Sequence, residues 1–72
     1  MTQCDMILRY LREEGSITPL DALREFGCMR LGARIYDLTR RGHKITRSTE
    51  ASYNRFGNRV HYARYSLQED QP

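Results

Sequence analysis

Nine cations lie between Met29 and Arg64 against two acids, a net +7, in a 72-residue chain whose overall formal charge is only +3. They are Arg30, Arg34, Arg40, Arg41, Lys44, Arg47, Arg55, Arg59 and Arg64, opposed by Asp37 and Glu50. The first 28 residues carry three arginines against five acids, and the last eight add Glu69 and Asp70. Solubility alone would let these charges scatter. Concentrated in one half, they create a field that attracts polyanions and speeds their encounter. The chemistry is therefore recognition rather than bond-making. No Ser, His and acid fall in a plausible triad order, no glycine-rich phosphate loop opens a helix, and the acids sit mostly in the half of the chain away from His43 and His61. Both histidines read as surface or internally satisfied groups. Cys4, Cys28, His43 and His61 could supply zinc ligands, but no pair has the short spacing of a finger or ribbon. The expectation is no catalysis, no metal and no cofactor, with both cysteines as buried thiols in a reducing compartment.

The stretch that must present the cations is Met29 to Gly42, MRLGARIYDLTRRG. At about 100° per residue Leu31, Ile35 and Leu38 fall on one side, and Gly42 follows as a stop signal. The opposite side carries Met29, Ala33, Tyr36 and Arg40, flanked by Arg30, Asp37 and Arg41. This periodicity predicts a helix buried on its leucine side and used on its outer side, with Arg30 and Arg40 about 80° apart in projection.

The preceding residues read as scaffold. Thr2 with Asp5 has the form of a capping box, so a first helix starts near Gln3, buries Cys4, Ile7, Leu8 and Leu11, and ends at Gly15. Met6 and Tyr10 close the edge of the core. Ser16 and Ile17 suit a bridging strand. Thr18-Pro19-Leu20-Asp21 is a clear second helix start, with Ala22, Leu23 and Phe26 as its apolar side and Gly27 turning the chain out. Only a few residues then remain before the third helix, so the two cross steeply, as in a helix-turn-helix.

After Gly42 the period becomes two. Ile45 to Tyr53 and Arg59 to Leu67 are predicted as a β-hairpin around Asn54-Arg55-Phe56-Gly57-Asn58, with Gly57 able to take the positive φ that the turn needs. Pairing Tyr53 with Arg59 brings Ile45 opposite Leu67, Arg47 opposite Tyr65 and Thr49 opposite Ala63. Ile45, Ala63, Tyr65 and Leu67 then share the face against the helices, and the distal hairpin stands in solvent.

This order of elements, together with Tyr10-Leu11-Arg12, Gly15-Ser16-Ile17-Thr18, Ala22-Leu23, Arg30-Leu31, Ala33-Arg34-Ile35, Asp37-Leu38, Gly42, Ile45, Asn54-Arg55-Phe56-Gly57 and Ala63-Arg64-Tyr65, resembles a family of small stand-alone winged helix-turn-helix domains of bacteriophages and prophages. The resemblance runs over nearly the whole chain. It implies an α+β winged helix-turn-helix of three helices, a short bridging strand and a C-terminal hairpin wing. Two residues depart from it: Gly32 inside the third helix, at a cost of about 1 kcal/mol relative to Ala, and the bulky Tyr36 on its surface. Close approach to a partner would account for either, and so would no function at all.

A charged fraction of 29% beside a hydrophobic fraction of 39% suits one small globular domain over residues 1–67, with a polar tail at 68–72 that frays. No apolar run approaches the ~18 residues of a membrane span. Met1 to Asp5 lacks the start of a signal peptide, so action inside the cell that makes the protein is expected, which the resemblance implies to be bacterial cytoplasm or nucleoid. The leading expectation is duplex DNA binding by a small phage-type transcriptional or recombination regulator. Arg30 and Arg40 would meet guanine, and Tyr36 a phosphate or a thymine methyl. Arg34 and Arg41 would meet flanking phosphates, and Arg55 the adjacent minor groove. Lys44, Arg47, Arg59 and Arg64 would widen the electrostatic footprint. One such domain covers one half-site, which favours a homodimer or paired sites, although no spare apolar helix or heptad is present to build an interface. The alternative is a phage-encoded interaction module that inhibits a host protein complex, such as polymerase or a CRISPR effector.

Overall fold

The computed structural model describes residues 1–68. Helix α1 (Gln3–Glu14) leads to strand β1 (Ser16–Ile17), helix α2 (Pro19–Phe26), helix α3 (Leu31–Arg40) and the strands β2 (Ile45–Tyr53) and β3 (Arg59–Leu67). Local chemistry sets the starts of the first two helices. Thr2 and Thr18 each accept at Oγ1 from a backbone N–H three residues on, that of Asp5 at 3.1 Å and of Asp21 at 3.2 Å. Each aspartate answers by accepting the threonine's own N–H, at 3.1 and 3.0 Å, closing two capping boxes. The bonds from Thr2 hold the Asp5 carboxyl below its ordinary value.

Helix α3 is shorter than the 29–42 stretch from which it was expected. Gly27 and Cys28 turn the chain, Cys28 donating its N–H to the Ala22 carbonyl at 3.1 Å, and the helix begins only at Leu31, with Arg30 as a cap that makes no side-chain bond. At the far end Gly42 takes φ 100° and donates to the Thr39 carbonyl at 3.0 Å, while His43 donates to that of Leu38 at 3.2 Å. This is a Schellman stop, which needs a left-handed residue where Gly42 stands.

The sheet is antiparallel in the order β1-β3-β2. Tyr53 pairs with Arg59, Thr49 with Ala63, Arg47 with Tyr65 and Ile45 with Leu67, the register expected from the hydrophobic pattern. Ile17 pairs with Tyr65, so the two-residue β1 ties the hairpin base to the helices. The core is built from Cys4, Ile7 and Leu11 of α1, Ile17, Ala22 of α2, Cys28, and Leu31, Ile35 and Leu38 of α3. Leu8, Tyr10, Phe26, Ile45, Tyr65 and Leu67 close around it. Tyr10 meets the Phe26 ring edge-on at 5.6 Å. Leu23 differs from expectation. It is 46% exposed, because the short α2 turns Ala22, not Leu23, into the core.

Gln68 prolongs the ladder, its N–H donating to the Lys44 carbonyl at 2.8 Å and its side-chain amide to Thr46 at 3.2 Å. The rest of the expected tail, 69–72, lies outside the described residues. No described helix is long and apolar enough to cross a membrane.

Gly32 has an ordinary helical backbone, and a Cβ added there would meet only the Tyr65 hydroxyl at an unstrained 3.8 Å. Among the described residues nothing requires a glycine there. Gly32→Ala is expected to raise stability by about 0.5–1 kcal/mol, read as a higher denaturation midpoint in urea at unchanged slope. A loss of stability would mean that Tyr65 cannot accommodate the methyl.

Candidate nucleic-acid interface

The three sides of α3 have different neighbours. Its buried side is Leu31, Ile35 and Leu38. One flank turns to α1, where the Cys4 thiol points at the Arg34 carbonyl at 3.9 Å and the charge of Arg41 is felt by Asp5. The other flank turns to the hairpin base, where Gly32 approaches the Tyr65 hydroxyl. That leaves Ala33, Tyr36 and Arg40 outward. Tyr36 is 61% exposed, and the Arg40 guanidinium lies over its ring, 5.8 Å from the centroid. A bulky aromatic on this surface thus has an intramolecular use, since the cation–π contact limits the positions Arg40 samples. Arg30 precedes the helix instead of lying on its face, so its angular separation from Arg40 is not a helical one. It stands at the N-terminal end of a rod about 15 Å long, with Arg40 at the other end.

Strand alternation sorts the hairpin cations. Ile45, Tyr65 and Leu67 pack on the core, so residues in phase with them share their face. Arg47 and Arg59 are in phase; Arg64 is not. Arg64 lies on the other face, where its Nε is 2.8 Å from Glu50 Oε1 and its Nη1 donates to Ser16 Oγ at 2.9 Å. The bond from Arg64 holds the Glu50 carboxyl below its ordinary value, and the same bond raises Arg64. A carboxyl lowered on folding stabilises the fold above its unfolded value, and that contribution is lost as pH falls through the lowered one.

Pairing and exposure divide the cations in the same way. Arg34 and Arg64 are half-buried and ion-paired, Arg34 with Asp37 at 3.4 Å. Arg30, Arg40, Arg41, Lys44, Arg47, Arg55 and Arg59 are exposed, and none forms an ion pair among the described residues. Arg47 makes only a long bond, 3.4 Å, to Thr49. Of the ten expected contact residues, the fold therefore gathers Tyr36 and these seven cations on α3, its ends and the inner face and tip of the hairpin, and sets Arg34 and Arg64 apart. Tyr53, 71% exposed, and His61 share the inner hairpin face with Arg59. Neither is among the expected contacts, although the register that places Ala63 inward carries the same information for them.

A different surface opens between the start of α2, the α2–α3 turn and the hairpin face that carries Ser52, Tyr62 and Arg64. It is a groove of about 650 Å³ lined by Leu20, Leu23, Met29, Tyr62 and Arg64 among others. Met29, expected on the α3 face, instead lies in the turn, 84% exposed. Among the described residues no cluster of three or more His, Cys, Asp or Glu could hold a metal ion, and Cys4 and Cys28 are buried free thiols.

A family model described as a winged helix-turn-helix domain matches residues 2–70. No curated protein and no solved structure shows a significant match to the chain.

Proposed function

Because the chain belongs to the winged helix-turn-helix domain family, a fold that suggests DNA binding, we propose that it reads duplex DNA as a small phage-type regulator of transcription or recombination in the bacterial cytoplasm or nucleoid. The observation that carries this reading is the division of the cations: around α3 and the inner hairpin seven are exposed and form no ion pair among the described residues, while Arg34 is paired with Asp37 and Arg64 with Glu50. In this reading α3 enters the major groove, with Arg30 and Arg40 at guanines and Tyr36 at a phosphate or thymine methyl. Arg41, Lys44, Arg47 and Arg59 meet phosphates, and Arg55 reaches the next minor groove. Two copies on half-sites about 34–36 Å apart would double this footprint.

The test is a selection from random duplexes with the wild-type protein and with Arg30→Ala and Arg40→Ala. An arginine bidentate to guanine costs about 1–3 kcal/mol on the preferred sequence when removed and much less on random DNA, so the enriched motif loses one guanine. No enriched motif with the wild-type protein overturns sequence reading. A companion comparison uses the hairpin. Arg59→Ala weakens binding to specific and unrelated duplexes alike, whereas Arg64→Ala, on the opposite face and already paired, changes affinity less.

The groove beside α2 favours a second reading, an interaction module that docks on a host complex such as polymerase or a CRISPR effector. Its exposed Leu20, Leu23 and Met29 form an apolar surface of the kind that marks protein contacts. In that reading, substituting Leu20 and Met29 with Ser abolishes binding to the host complex, whereas in the duplex reading the same substitutions leave the protein's binding unchanged.

A further inference from the structure

Resting on the duplex-binding reading, we propose that the hairpin tip is a wedge, with Phe56 entering between two base pairs of the bound duplex and kinking it. Phe56 is 78% exposed at the point of the hairpin farthest from the core, so its ring is no part of the core packing. Its backbone is nevertheless held firmly. Asn54 Oδ1 accepts the N–H groups of Phe56 at 2.9 Å and Asn58 at 3.0 Å. The Asn54 N–H donates to the Asn58 carbonyl at 2.9 Å, and that of Gly57 to the Asn54 carbonyl at 3.0 Å. A large apolar side chain is thus presented to solvent on a pre-formed turn, whose ordering entropy has been met on folding rather than on binding.

The surroundings of the ring indicate its occupant. The Arg55 guanidinium lies 5.3 Å from the Phe56 ring centre, and Arg59 begins the returning strand. No acid occurs from 51 to 60. An exposed apolar ring beside an arginine, in a stretch without acids, suits a polyanion with an apolar interior, which describes a stack of base pairs between phosphate backbones. Apolar side chains inserted from the minor groove unstack a step and bend the duplex by roughly 20–90°. The nine-residue strands behind the tip, paired throughout and anchored at their base by Ile45, Tyr65 and Leu67, supply the rigid arm such a wedge needs. Pyrimidine–purine steps are the easiest to open. The tip therefore adds a preference for TA or CA steps at a position where no base edge is hydrogen-bonded, a source of selectivity separate from α3.

The experiment uses the full chain with a duplex of about 30 base pairs, labelled at both ends for energy transfer and carrying 2-aminopurine beside a single TA step. Anisotropy reports binding independently, and circular dichroism checks the fold of each variant. Wild-type protein is expected to shorten the end-to-end distance and raise 2-aminopurine fluorescence at saturation. Phe56→Leu, still an apolar wedge, keeps both signals. Phe56→Ala abolishes both and erases the preference for the TA duplex over one with a stiff A-tract in its place. Binding by the wild type without bending, or equal bending by Phe56→Ala, overturns the wedge while leaving duplex binding standing. Absence of wild-type binding overturns both.

Discussion

Raising monovalent salt fourfold is expected to weaken duplex binding by roughly two to three decades, because each phosphate neutralised releases condensed counterions and contributes a slope near −0.9. Seven exposed cations that form no ion pair among the described residues surround α3 and the inner hairpin. If about five of them meet phosphates, the slope is about −4.5. Arg34 and Arg64 are excluded from that number because Asp37 and Glu50 already serve as their counterions. The titration distinguishes the two proposed partners. An affinity that barely changes with salt, on DNA or on any partner, would favour the apolar groove beside α2 as the working surface.

Leu38→Ala is expected to cost about 2–5 kcal/mol of folding stability, the transfer energy of the removed atoms plus a cavity that neighbours only partly fill. Leu38 is 1% exposed, in a core shared with Ile7 and Leu11 of α1 and Ile17 of β1. A domain of this length has little stability in reserve, so the variant is expected to be largely unfolded at 37 °C and to lose specific and unspecific binding together. Urea denaturation measures the loss directly, and a change below about 1 kcal/mol would mean that this core tolerates a void. Arg40→Ala, two residues further along the same helix, gives the opposite pattern: a stable fold and an altered sequence preference. Together the two variants separate damage to the scaffold from damage to the reading surface.

What could be read from the residues alone was local in origin. The capping boxes of Thr2 with Asp5 and Thr18 with Asp21, the helix stops, the leucine side of α3 and the full hairpin register all follow from groups a few positions apart, or from strict alternation about one turn. Such interactions form wherever the segment is placed, so sequence by itself determined the winged helix-turn-helix architecture. The tertiary structure decided which surfaces are available. Arg34, Arg40, Arg59 and Arg64 are equivalent in composition. Arg64 is withdrawn by Glu50 across the hairpin and by Ser16, 48 positions away, which only the pairing of β1 with β3 brings near. The same holds for Leu23 and Met29, which helical periodicity assigned to a core face and an outer face. The angle at which α2 meets α3 places both beside a groove with the hairpin. Caps and periods are properties of a segment, whereas the exposure and counterion of a side chain depend on whatever folds against it, and that is settled only when distant segments pack.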